Sequence, residues 1–148
     1  MTLTGRPEPW EAATRGRSQR VKAPLLLAAA VLVASVLLHV RDPHRSGSWG
    51  FCPWLLITGT QCPGCGGLRA VNDLTNGDIR AAASSNLLFV ASLPFVAFFW
   101  GRWLRDRWYG TRRVVDTRKA LVWSGVFLAL AIAFAVLRNL PAGAWLAA

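Results

Sequence analysis

The chain has 148 residues, 53% of them hydrophobic and 16% charged, with a formal net charge of +10. Soluble domains run at about 45–50% apolar and about 25% charged. That excludes an ordinary soluble domain, and low hydrophobicity, which a disordered chain needs, is absent. Three Cys are too few for a disulfide-dense scaffold, and the class that remains is a small integral membrane protein.

Residues 1–22 are polar and mixed in charge, with Arg6, Arg15, Arg17, Arg20 and Lys22 beside Glu8 and Glu11. No apolar period runs through them, so a disordered basic cytoplasmic tail is expected. Residues 23–40 carry no Asp, Glu, Lys or Arg. As a helix they would cover about 27 Å at about 1.5 Å per residue, close to the roughly 30 Å hydrocarbon core. Pro24 suits a first helical turn. A cleaved signal peptide has a shorter apolar region and a small-x-small site. This run ends instead in His39-Val40-Arg41-Asp42-Pro43 and reads as a membrane anchor.

A loop with Pro43, Gly47 and Gly50 follows. Residues 51–60 are apolar but too short to cross, so they would lie at the interface or re-enter the membrane. The Cys motif occupies residues 61–67. Residues 68–75 read as a short helix with Leu68, Val71 and Leu74 on one side. Asn76-Gly77 is a turn signal, and Asp78 suits the N-cap of a new helix. That helix runs from Ile79 into a second span at about 85–104, where Pro94 predicts a kink. Residues 101–119 are strongly basic. Residues 120–137 form a third uncharged stretch, closed by Arg138-Asn139 and Pro141, with a tail at 142–148. The expected fold class is an all-α integral membrane protein. Its membrane domain covers 23–141, with three transmembrane helices and a Cys-bearing extracytoplasmic loop and short helix at 50–75.

Charge sets the expected orientation. With three spans, the first tail and the 101–119 loop share a side that holds 12 of the 17 basic residues. Lys and Arg accumulate on the cytoplasmic side. The N-terminus is therefore expected inside and the Cys loop outside, in a multi-pass protein of a bacterial cytoplasmic (plasma) membrane. A fourth crossing by residues 51–71 would bury Arg69, at a cost of about 2.5–3.5 kcal/mol, and would oppose the charge rule. Trp49, Trp54, Trp100, Trp103, Trp108, Trp123 and Trp145 all fall near span ends, where Trp prefers the headgroup level. The basic blocks flank apolar stretches, so the expected partner is the lipid bilayer and no nucleic acid.

The chemistry lies at residues 51–70. Cys62-Pro63-Gly64-Cys65 is a C-x-x-C, and Cys52 lies ten residues earlier, also followed by Pro. All three Cys of the chain are here. Three chemistries suit the spacing. A metal such as zinc would take thiolates from the tight turn, with Cys52 third and His44 or His39 as a fourth ligand. A redox pair would use Cys62 and Cys65, although no βαβ pattern surrounds them. A structural disulfide suits an oxidising outer compartment. Arg69 and Asp73 have the i,i+4 spacing of a surface ion pair, with a thiolate-supporting or anion-binding role for Arg69 as the alternative. Asn86 and Asn139 are expected to cap or flank helices. The apolar stretches of the spans, 23–40, 87–100 and 120–137, lack Asp, Glu, Lys and Arg, which argues against a self-contained transporter.

The motif resembles that of a bacterial membrane family, domain of unknown function 2752. Its C-P-x-C-G-x-x-R-A pattern is matched by Cys62-Pro63-Gly64-Cys65-Gly66-Gly67-Leu68-Arg69-Ala70, with Leu68 where the family commonly has Thr. Cys52-Pro53, Gly77-Asp78, Asn86 and Arg138-Asn139 extend the resemblance over about residues 50–141. It implies a polytopic membrane protein and no assigned activity. The functional expectation is a structural or partner-binding membrane component whose Cys loop is fixed by a disulfide or metal at Cys52, Cys62 and Cys65. Pro63, Gly66, Arg69, Asp73, Asp78 and Asn86 are its supporting residues. The alternatives are a thiol-redox protein using Cys62 and Cys65, or an oligomeric channel or transporter component. No catalytic residue is assigned, and the reading leans away from an enzyme. A membrane protein partner or a homo-oligomer is the expected protein contact.

Overall fold

The structure is a computed structural model that describes residues 9–45, 47–49, 52–111 and 116–146. Residues 1–8 of the expected tail, 46, 50 and 51 at the start of the expected Cys-bearing loop, 112–115 of the basic loop and 147–148 lie outside the described residues. Five α-helices follow in order: α1 (Pro9–Val40), α2 (Pro53–Thr58), α3 (Gly67–Thr75), α4 (Ile79–Tyr109) and α5 (Thr117–Arg138). A 3-10 turn at Pro141–Leu146 comes last, and no strand is present among the described residues. Three helices are long and apolar enough to cross a membrane, at Gly16–Val40, Ile79–Tyr109 and Thr117–Arg138. Their large apolar side chains face outward, as in Leu26, Phe95 and Trp123, which is the arrangement a lipid solvent favours.

α1 starts at Pro9, well before the uncharged stretch that begins at Ala23. The described part of the expected tail, residues 9–22, is therefore helical. Contacts with the end of α4 hold it there. Arg17 lies 5.1 Å from the ring centre of Trp108, and Arg20 Nε donates to the Arg107 carbonyl at 3.3 Å. Further along, Trp100 Nε1 donates to the Pro24 carbonyl at 3.2 Å, tying the two spans together.

α3 and α4 form the tightest pairing. Gly77, at φ 81°, makes the left-handed turn between them, a conformation that costs glycine little. Asp78 caps α4 by accepting the Ala81 N–H at 2.8 Å, as its sequence position predicts. Asn72 is buried and donates to the Leu38 carbonyl at 2.7 Å, which fixes α3 on the end of α1. The break in α4 falls at Asn86 (φ −160°, ψ 92°), and not at Pro94 as the sequence suggested. Pro94 lies midway along α4, where the backbone keeps helical φ/ψ. Asn86 is turned out of the helix by its own hydrogen bonds to the Cys loop. α5 packs chiefly on the 3-10 turn, and it reaches the Cys loop through its last residues.

Candidate metal centre

Backbone turns bring the three thiols together. Cys52 is the N-cap of α2, with extended φ/ψ and Pro53 at the first helical position, where a missing N–H costs nothing. Cys62 to Gly67 is a pair of tight turns. The Cys65 N–H reaches the Cys62 carbonyl at 3.1 Å, and the Gly67 N–H reaches the Gly64 carbonyl at 3.1 Å. Gly66 leaves these turns at φ 78° to start α3. A Cβ at Gly66 would collide with the Ser85 carbonyl oxygen, so glycine is required for conformation and for space.

Cys62 Sγ lies 3.1 Å from Cys65 Sγ and 3.7 Å from Cys52 Sγ. All three ligand atoms lie within 4.8 Å of one another, and all three thiols are free. Sulfurs bound tetrahedrally at about 2.3 Å from zinc stand about 3.8 Å apart. The thiol triangle therefore fits one thiophilic ion with small side-chain adjustments. The two histidines do not join it. His44 Nε2 lies 2.8 Å from Asp73 Oδ1, and His39 Nδ1 lies 3.1 Å from Thr75 Oγ1.

A polar clamp holds the loop that carries Cys62 and Cys65. Asn86 Nδ2 donates to the Pro63 carbonyl at 2.9 Å and the Cys65 carbonyl at 3.0 Å. Its Oδ1 accepts the Phe89 N–H at 2.9 Å and caps the second segment of α4. Arg138 Nη1 donates to the carbonyls of Cys62 at 3.1 Å and Cys65 at 2.9 Å, while Nη2 donates to Leu146 at 2.9 Å. Asn139 pairs with both backbone groups of Gln61, accepting its N–H at 2.8 Å and donating to its carbonyl at 2.9 Å. The second and third spans thus converge on residues 61–65. Asn86 and Arg138 are almost fully buried, so these bonds form away from water, where leaving them unmade is costly.

Crowding separates the thiols electrostatically. Burial, and next the neighbouring Cys62 and Cys52 thiols, push Cys65 up to about 12. The Leu55 N–H, and next the Cys65 thiol, hold Cys52 below the ordinary thiol value. No cap hydrogen bond of normal geometry forms at Cys52. A cation between the three would offset the cost of burying a Cys65 thiolate.

Of the site residues expected from sequence, Cys52, Cys62, Cys65, Pro63, Gly66 and Asn86 come together. Asp78 caps α4 and stands apart. The Arg69–Asp73 ion pair does not form. Asp73 faces inward and accepts from Ser85 Oγ at 2.8 Å, with His44 on its other oxygen. The i,i+4 spacing places the two side chains on neighbouring positions, but the buried hydroxyl of Ser85 claims the carboxylate. Arg138, Asn139 and Ser85 were not singled out as site residues. Arg138 and Asn139 read as an ordinary span end, where a cation is expected for topology alone.

Three spanning-length helices around a clamped Cys loop define a polytopic membrane-protein fold. Residues 52–100 match the model of the family described as Protein of unknown function (DUF2752). That stretch carries all three Cys, α3 and the Asn86 break, and over it the chain is similar to this family. No curated protein and no solved structure matches the chain.

Proposed function

We propose that this chain is a multi-pass membrane component whose Cys loop holds one thiophilic metal ion, zinc first among them, as a rigid docking element for a membrane partner or a second copy. The convergence of Cys52, Cys62 and Cys65 within 4.8 Å carries the reading. The charge distribution supports a loop outside a bacterial plasma membrane, with the N-terminus inside. In this reading the ion locks α2 to the start of α3, and the clamp locks both to the span ends.

The test is a thiol and metal count on protein purified in detergent without reductant. Alkylation under denaturing, anaerobic conditions followed by intact mass gives the number of free thiols. Elemental analysis gives the metal. Three alkylated Cys with about one zinc per chain supports the reading. One alkylated Cys and no metal overturns it.

A thiol-redox reading is favoured by one observation, the 3.1 Å contact within the C-x-x-C. In that case the thiolate of Cys62 attacks a partner disulfide, releasing one partner thiol, and Cys65 displaces the second, leaving a Cys62–Cys65 disulfide. The same count distinguishes it, because the single free thiol would map to Cys52.

A further inference from the structure

Arg138 is a buried charge with no acid beside it. Its residue is 2% exposed. Its guanidinium stays protonated in any protein environment, and a buried charge needs an opposite one. Yet its hydrogen-bond acceptors are neutral carbonyls, those of Cys62, Cys65 and Leu146. The Phe134 ring, 5.2 Å away, adds a cation–π contact and no charge. Among the described residues no carboxylate pairs with it. Its Nε is buried and has no hydrogen-bond partner. Nothing in the described fold supplies the missing negative charge except the thiols of the two residues that Arg138 grips, and Cys52 beside them.

We infer that Arg138 is the fixed counter-charge of an anionic metal–thiolate centre at Cys52, Cys62 and Cys65. The inference rests on the metal reading above and goes further. Three thiolates around a divalent ion carry one net negative charge, and one guanidinium balances it. A disulfide, or three neutral thiols, leaves the Arg138 charge buried without an opposite. The centre is thus matched to a divalent thiophilic ion bound by three fully ionised sulfurs. Arg138 acts here as a positioning residue: it touches the backbone of the ligands and sets the charge the site accepts.

Two measurements test this with Zn²⁺ as the probe and the full chain in detergent. The first is proton release on zinc binding near pH 6, by calorimetry in buffers of different ionisation enthalpy. About three protons per zinc are expected, because zinc binds the thiolate and each ligating thiol gives up its proton. Two or fewer overturns the inference, and this measurement needs no variant to fold. The second is zinc affinity by chelator competition. Arg138→Gln should weaken binding about 10–100-fold, the range seen when a ligand's supporting partner is lost. Arg138→Lys, which keeps the charge, should recover most of that loss. Asn139→Ala, which removes a neutral clamp on the same loop, should weaken binding less than Arg138→Gln. An Arg138→Gln protein that binds zinc within twofold of wild type, or an Arg138→Lys protein as weak as Arg138→Gln, overturns the inference while leaving the metal reading intact. Wild-type protein that binds no zinc overturns both.

Discussion

Arg138 Nη1 and the Cys65 carbonyl oxygen meet at 2.9 Å, across 73 positions of sequence. The bond joins the last turn of the last span to the middle of the Cys loop. Asn86 reaches the same carbonyl from the break in α4, at 3.0 Å. One backbone oxygen therefore reports on two spans at once. A displacement of either span would strip a donor from the loop, and the loop's thiols would move with it.

Asn86 is the first residue to test for that coupling. It makes two donated bonds to the loop and one accepted bond that restarts α4. Asn86→Ala should cost about 2–3 kcal/mol, since it leaves buried carbonyls and a helix N–H unpaired. Asn86→Asp keeps the acceptor for Phe89 and loses the donors, so its loss should match that of Ala or exceed it. Thermal unfolding in detergent measures both. An Asn86→Ala protein as stable as wild type would mean that the break in α4 is held by something other than this side chain.

Gly66 and Gly59 give a matched pair for the turn geometry. Both have left-handed φ, 78° and 67°. A Cβ on Gly59 meets open space, while one on Gly66 meets the Ser85 carbonyl. Gly59→Ala should cost about 1–2 kcal/mol, the conformational penalty alone. Gly66→Ala should cost substantially more and reduce the yield of monodisperse protein, because α3 must move off α4. Equal losses at the two positions would show that the close packing at Ser85 is soft.

The spans were legible from composition because lipid imposes a simple rule: about twenty apolar residues, charges outside. The turn at Gly77 and the cap at Asp78 were legible because their chemistry is local. The thiol loop was legible as a cluster, since all its ligands fall in one short segment. The clamp was not. Arg138 carries two meanings at a span end, topology signal or buried donor, and only the packing of residues 61–65 against it selects the second. The Arg69–Asp73 pair failed for the same reason. Helix spacing says which side chains are neighbours, but Ser85, twelve residues away, decides where Asp73 points.

The thiols should differ in reactivity in the reduced, metal-free protein. The thiolate is the nucleophile, so a raised pKa slows alkylation at any pH below it. Cys65, pushed up to about 12 by burial first and by its neighbours next, should react at least ~100-fold more slowly near pH 8 than Cys52, which lies below the ordinary value. Raising the pH should level the Cys52 rate first, while the Cys65 rate keeps climbing. Pulsed alkylation with peptide mass analysis reads both rates. Matching rates would mean that the loop opens to solvent on the timescale of the label.

Asp73 accepts from two partners of different burial, which allows its contributions to be separated. Ser85 is 3% exposed and donates to one oxygen. His44 faces the other at 2.8 Å, with 42% of its side chain exposed. Water competes for the His44 contact and screens it, so its coupling should fall in the range of exposed pairs, about 0.2–1 kcal/mol. Water does not reach Ser85, and its hydroxyl loses a charged acceptor if Asp73 is truncated, so coupling there should be about 1.5–3 kcal/mol. Double-mutant cycles with Asp73→Ala against Ser85→Ala and against His44→Ala give the two energies from unfolding in detergent. A His44 coupling larger than that of Ser85 would reverse this assignment. The loop at residues 41–45, rather than the start of α4, would then be what holds α3 in place beside the thiols.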